Sequence, residues 1–199
     1  MGKNGKVVIN ELKYFRDKLD KSFSTQQIDL FIESCAKELA SRLLAKVVER
    51  TPVGKKPTLK KGEKKTFKVK GASGKSRSFL TADAARIQQY WNGYQGGTLR
   101  RGWTGGKAVK PEDYAKGLKV TRSGQIYVIE VVNPVEYASY VEFGHRQTPG
   151  RYVPALGKTL VKGWVEGKKM LTISEEEIRR DAPRVLENKL KKKLGECFK

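Results

Sequence analysis

The sequence predicts an α+β domain, because two long amphipathic helical patterns, one near each end, enclose a middle rich in β-branched and aromatic residues punctuated by glycine. The expected architecture is an antiparallel β-sheet packed by the long N-terminal helix and the C-terminal amphipathic helix. It forms one domain over 1–199, with a long basic loop inserted at 55–96.

Asn10 to Lys21 place Leu12, Phe15 and Leu19 on one helical face. Ser24-Thr25-Gln26-Gln27 then has the spacing of a capping box, and Ile28, Phe31, Ile32, Cys35, Leu39, Leu43 and Val47 follow at helical intervals. Pro52 ends that helix by removing a donor and disfavouring helical geometry at Thr51. From there to Leu80 the chain reads as irregular, apart from an exposed strand or hairpin arm at 64–70, where Thr66, Lys68 and Lys70 alternate with Phe67 and Val69. Thr81 caps an expected helix to Tyr94 with Ala84, Ala85, Ile87 and Trp91 on its apolar side, and Gly96-Gly97 breaks it.

Leu99 to Trp103 is expected to be extended. Tyr114 to Thr121 and Gln125 to Asn133 read as a hairpin turning at Arg122-Ser123-Gly124, with 126–132 as its strongest strand. Tyr137 to Phe143 has a short helical period that closes at Gly144, and Val161 to Leu171 reads as another strand. Ser174-Glu175-Glu176-Glu177 repeats the capping-box spacing and opens the C-terminal helix, 174–197. Ile178, Ala182, Val185, Leu186, Leu190 and Leu194 mark its buried stripe. Pro183 within it implies a kink or a split.

Charge is the dominant compositional feature. The 199 residues carry 42 Lys and Arg against 21 Asp and Glu, a formal net charge of +21. Such a surface attracts polyanions and repels its own copies, so nucleic acid or an acidic protein is the expected partner. Between Lys55 and Gly96 there are 11 basic residues against Glu63 and Asp83. Lys55, Lys56, Lys60, Lys61, Lys64, Lys65, Lys68 and Lys70 are the candidate phosphate contacts, and they would read no sequence. The same lysines equally suit a solvated loop. Cys35 and Cys197 lie near opposite ends with no metal-binding spacing, which suggests a reduced compartment. The absence of a signal-peptide pattern or a long apolar run points to a soluble protein with no membrane contact.

Catalytic constellations are scarce. No Walker A, GxGxxG, GxSxG or HExxH pattern occurs, and neither a cofactor nor a metal is expected. His145 is the single imidazole, so a hydrolase would have to depend on it, and a loop or interface role fits better. Glu136 and Glu142, six residues apart, do not share a helical face. Trp91, Trp103 and Trp164 stand among basic residues, as base-stacking side chains do, yet read more readily as packing anchors.

Three segments in order carry a family resemblance: Thr51-Pro52-Val53 closing a long helix, Gly97-Thr98-Leu99-Arg100-Arg101-Gly102-Trp103, and Asn133-Pro134-Val135-Glu136-Tyr137-Ala138-Ser139-Tyr140-Val141-Glu142-Phe143-Gly144. Together they resemble the head-tail joining, or tail-completion, family of long-tailed bacteriophages, usually labelled after a gene-ten product. The likeness spans roughly residues 25 to 171, and 55–96 departs from it by opening the usual short link between Thr-Pro-Val and Leu-Arg. It implies a structural protein without an active site. Such a subunit forms a ring, hexameric in preference to dodecameric, in the virion neck between the portal or adaptor and the tail tube or tail terminator. Assembly in the host bacterial cytoplasm and double-stranded DNA in the channel are implied as well. The resemblance puts Tyr137, Tyr140, Glu142, Phe143, His145, Arg146, Arg100 and Arg101 at the subunit interface. Tyr137, Tyr140, Val141 and Phe143 would then be mostly core, and Glu142 would pair with a basic neighbour.

Overall fold

The computed structural model describes residues 21, 23–55, 66–70, 76–80, 82–124 and 126–197. In chain order the elements are α1 (Thr25–Arg50), β1 (Thr66–Lys70), β2 (Ser76–Leu80), α2 (Ala82–Tyr90), α3 (Thr98–Gly102), α4 (Pro111–Lys116), β3 (Val120–Ser123), β4 (Ile126–Ile129), α5 (Ala138–Phe143), β5 (Gly144–Arg146), β6 (Tyr152–Val153), β7 (Lys158–Thr159), β8 (Trp164–Glu166) and α6 (Met170–Cys197). The α+β class holds, with long helices before and after the strands. Pairing is antiparallel throughout and divided among four two-stranded ladders, β1 with β2, β3 with β4, β5 with β8 and β6 with β7. The predicted helix at Asn10–Lys21 lies outside the described residues except for Lys21.

Two compact units divide the chain. The first takes residues 1–48, 108–132 and 172–199, and the second takes 49–107 and 133–171.

In the first unit, α1 starts where its cap predicts: the Ser24 hydroxyl accepts the Gln27 N–H at 3.4 Å and the Ser24 carbonyl accepts that of Ile28 at 2.9 Å. Its buried positions are Cys35, Ala40, Leu44 and Val47, so the inward stripe runs through Leu44 and leaves Leu39 and Leu43 half-buried. Polar contacts join α1 to α6. Lys46 meets Glu177 at 2.7 Å, and Lys189 donates to the Ser34 carbonyl at 2.6 Å. Each pair is twelve residues from the other on both helices and in opposite chain directions, so the helices run antiparallel. The β3–β4 hairpin is tied to α1 through Asp29, which accepts from Arg122 and from the Tyr127 hydroxyl. The predicted hairpin turn is present, with Gly124 at φ 61°. Its first arm is shorter than expected, because Pro111 at the first helical position and Glu112 and Asp113 in the first turn make α4 of the residues around Tyr114. The second arm ends at Ile129 and not Asn133.

In the second unit, Thr51, Ile87, Leu99, Trp103 and Met170 are buried. Leu99–Trp103, expected extended, is the short helix α3 with its turn, entered through Gly97 at φ 76°. The basic insertion holds the β1–β2 hairpin and α2, and Ile87 of α2 packs against Gly157, where a Cβ would stand 2.5 Å from its side chain. The predicted strand at Val161–Leu171 contracts to β8, since Met170 and Leu171 already belong to α6. That helix therefore begins four residues before the expected capping box, with Ser174 fully buried inside it, and it continues through Pro183.

Candidate functional site

The residues singled out by sequence gather in the second unit around α5. Tyr137, the N-cap of α5, and Tyr140 and Phe143 within it recur every three residues, so each ring stands about 60° round the helix from the next. They are not core: their exposures are 45%, 59% and 69%. Trp164, half exposed on β8, stands opposite Arg146 in the β5–β8 ladder, and its ring reaches over Gly144, the residue after Phe143. Four exposed aromatic residues thus stand in or next to one six-residue helix and its paired strand.

This face is held rigid from behind. Gly144 ends α5 at φ 90°, and a Cβ there would overlap the Val165 carbonyl oxygen; one on Gly167 would overlap the Glu142 carbonyl oxygen. Only glycine permits so close a backbone approach. Glu142 is 6% exposed and points inward, where its carboxylate accepts the Leu171 N–H at 3.0 Å. The Val141 and Glu142 carbonyls accept the N–H groups of Lys168 at 2.7 Å and Lys169 at 3.0 Å. The last carbonyls of α5, which a helix end leaves unsatisfied, are thus taken up by the two residues that lead into α6, and the Glu142 carboxylate takes up the Leu171 amide in the first turn of that helix. Glu142 thereby caps α6, where the positive end of a helix stabilises a buried carboxylate.

A second network joins the other two motif segments. Arg100 sends its guanidinium to the Thr51 carbonyl, at 3.2 Å from Nε and 2.7 Å from Nη2, and so neutralises the negative end of α1. The Trp103 indole donates to the Thr51 hydroxyl at 2.8 Å. Asn133, the first residue of the third motif segment, donates to the Leu99 carbonyl at 2.9 Å and accepts the Val135 N–H at 3.2 Å. Its amide fills the space where a side chain on Gly102 would begin. Arg100 is thus engaged within the fold, whereas Arg101 and Arg146 face solvent.

His145 lies half-buried on β5. Its Nδ1 is buried without a partner among the described residues, its Nε2 is 3.4 Å from the Gln147 amide nitrogen, and its ring is 6.0 Å from that of Tyr140. Neither neighbour is the nucleophile or the orienting carboxylate of a triad. Among the described residues, no group of three or more His, Cys, Asp or Glu could hold a metal. No described helix is long and apolar enough to cross a membrane.

Of the candidate phosphate contacts, Lys55 is exposed. Lys68 and Lys70 occupy alternate positions of β1 opposite Ser78 and Ser76. Lys56, Lys60, Lys61, Lys64 and Lys65 lie outside the described residues. Sequence reasoning missed Trp164 as part of the aromatic face, and its one signal was a lone tryptophan between Gly163 and Val165 in a short strand.

The family model described as "Bacteriophage HK97-gp10, putative tail-component" matches residues 13–144. No curated protein and no solved structure matches the chain.

Proposed function

The chain belongs to the HK97 gp10-like family of bacteriophage tail components, and from that premise we propose that it is a non-enzymatic structural subunit of the virion neck, forming a ring that joins the portal or adaptor to the tail tube or tail terminator. The observation that carries this reading is the aromatic face of Tyr137, Tyr140, Phe143 and Trp164, exposed on a backbone fixed from behind. A cyclic ring needs two unlike surfaces on each copy that meet by rotation, and a preformed face of this kind supplies one of them. Arg101 and His145 would lie at the margin of that contact, with Arg146 beside Trp164. The ring is hexameric in preference to dodecameric. The experiment is electron microscopy of particles assembled without the protein: filled heads and finished tails accumulate separately. Normal joined particles would refute the role.

A second reading is favoured by the charge of +21 and by a β-hairpin carrying Lys68 and Lys70 in the basic insertion. On that reading the lysines of 55–70 hold duplex DNA without sequence preference. Affinity should then fall steeply with salt and largely vanish when those lysines are neutralised. An unchanged affinity would remove the reading.

A further inference from the structure

The antiparallel pair α1 and α6 leaves an open groove in the first unit, away from the aromatic face in sequence and independent of any ring. One cavity of about 280 Å³ is lined by Leu30, Phe31 and Ser34 of α1 with Lys189, Lys192, Lys193 and Glu196 of α6. A second, of about 460 Å³, shares Lys189 and Lys192 and adds Arg42, Arg184 and Val185. The two cavities adjoin at those lysines, and their lining is part apolar and mainly basic, with Glu38 and Glu196 opposed to Arg42, Arg184, Lys189, Lys192 and Lys193. Arg42 is paired with Glu38 and Lys189 with the Ser34 carbonyl. Arg184 and Lys192 are exposed and have no ion-pair or hydrogen-bond partner among the described residues. Leu30 is 52% exposed, so an apolar side chain also stands uncovered here.

We propose that this groove docks an acidic, leucine-bearing segment of a partner protein, its carboxylates on Arg184 and Lys192 and its apolar side chains on Leu30, Phe31 and Val185. The basic excess of the rim calls for a segment rich in carboxylates, and with 42 basic residues against 21 acidic this chain is a poor source of one. The apolar lining argues against DNA, whose backbone would offer phosphate to the rim and nothing to Leu30 or Phe31. An amphipathic segment lying between two helices satisfies both parts of the groove at once.

The test is fluorescence anisotropy on the full chain with a labelled synthetic peptide of Glu and Leu at helical spacing. Arg184→Glu combined with Lys192→Glu should weaken binding about tenfold, and Leu30→Ser about threefold or more. Lys119→Glu combined with Lys162→Glu, which changes the charge equally at exposed positions outside the groove, should leave it within about twofold. Thermal melting checks that each variant is folded, as substitutions at exposed sites should be. An equal loss in both double variants would reduce the binding to net charge and overturn the proposal. So would failure of the unaltered chain to bind the peptide, or a loss of duplex DNA affinity in the groove variant matching the loss for peptide.

Discussion

Glu142 and Gly144 show what one motif does at the residue scale. The run from Tyr140 to Gly144 was legible as a signature, but its aromatic residues were expected inside and its glutamate outside, and the structure reverses both. The reason is that Glu142 answers to Leu171, twenty-nine positions later, and no local pattern encodes that partner. Replacing Glu142 with alanine strands the Leu171 amide and should cost about 1–3 kcal/mol in urea unfolding, with glutamine recovering part of the loss. Gly144→Ala should cost about 2 kcal/mol or more, since it combines a left-handed backbone with an overlap on Val165. Cys35 gives a pH test. Burial raises its thiol pKa above the ordinary 9.0, with Lys189 opposing the shift. A thiol whose pKa is higher folded than unfolded contributes stability that is complete below about pH 9 and is lost as pH rises through the folded value. Cys35→Ala should therefore flatten the fall in melting temperature above pH 9, and an unchanged slope would contradict this.

Among the elements, those with long periodic patterns or strong local caps were legible, and α1 begins and ends where Ser24 and Pro52 say it should. Elements set by distant partners were not. Five residues are too few to reveal a helical period, so α3 passed for a strand although its fold is fixed by Thr51 and Asn133. The start of α6 was misplaced for a similar reason: its cap comes from α5, and the Ser-Glu-Glu-Glu pattern that imitates a cap lies within the helix. The junction of α1 and α3 should be sensitive to one hydroxyl. Thr51→Val leaves the buried Trp103 N–H unpaired and should cost about 1–3 kcal/mol, read by denaturant unfolding with indole fluorescence as a local probe. By contrast, a double-mutant cycle on Lys46 and Glu177 should return at most about 1 kcal/mol, because both side chains retain contact with water.

For the whole molecule, fold class, overall charge and family were all accessible from sequence, whereas the division into two units built from interleaved segments was not. Three stretches of chain make up the first unit and two the second, and a linear reading sees only neighbours along the chain. The aromatic face belongs to this scale, because its value lies in what the folded molecule presents. Tyr140→Ser combined with Phe143→Ser, both at exposed positions, should leave the melting temperature within a few degrees and abolish incorporation into particles. Loss of folding together with incorporation would mean the face is structural. The ladders have a further consequence. Every described strand has a single ladder neighbour, so its outward amides lack a carbonyl within the ladder, and Gly144 turns to that of Tyr140. In deuterated solvent such strands should exchange in two populations, alternate amides labelling early and their neighbours late, and the early population is the one that closing an assembly around the subunit would silence.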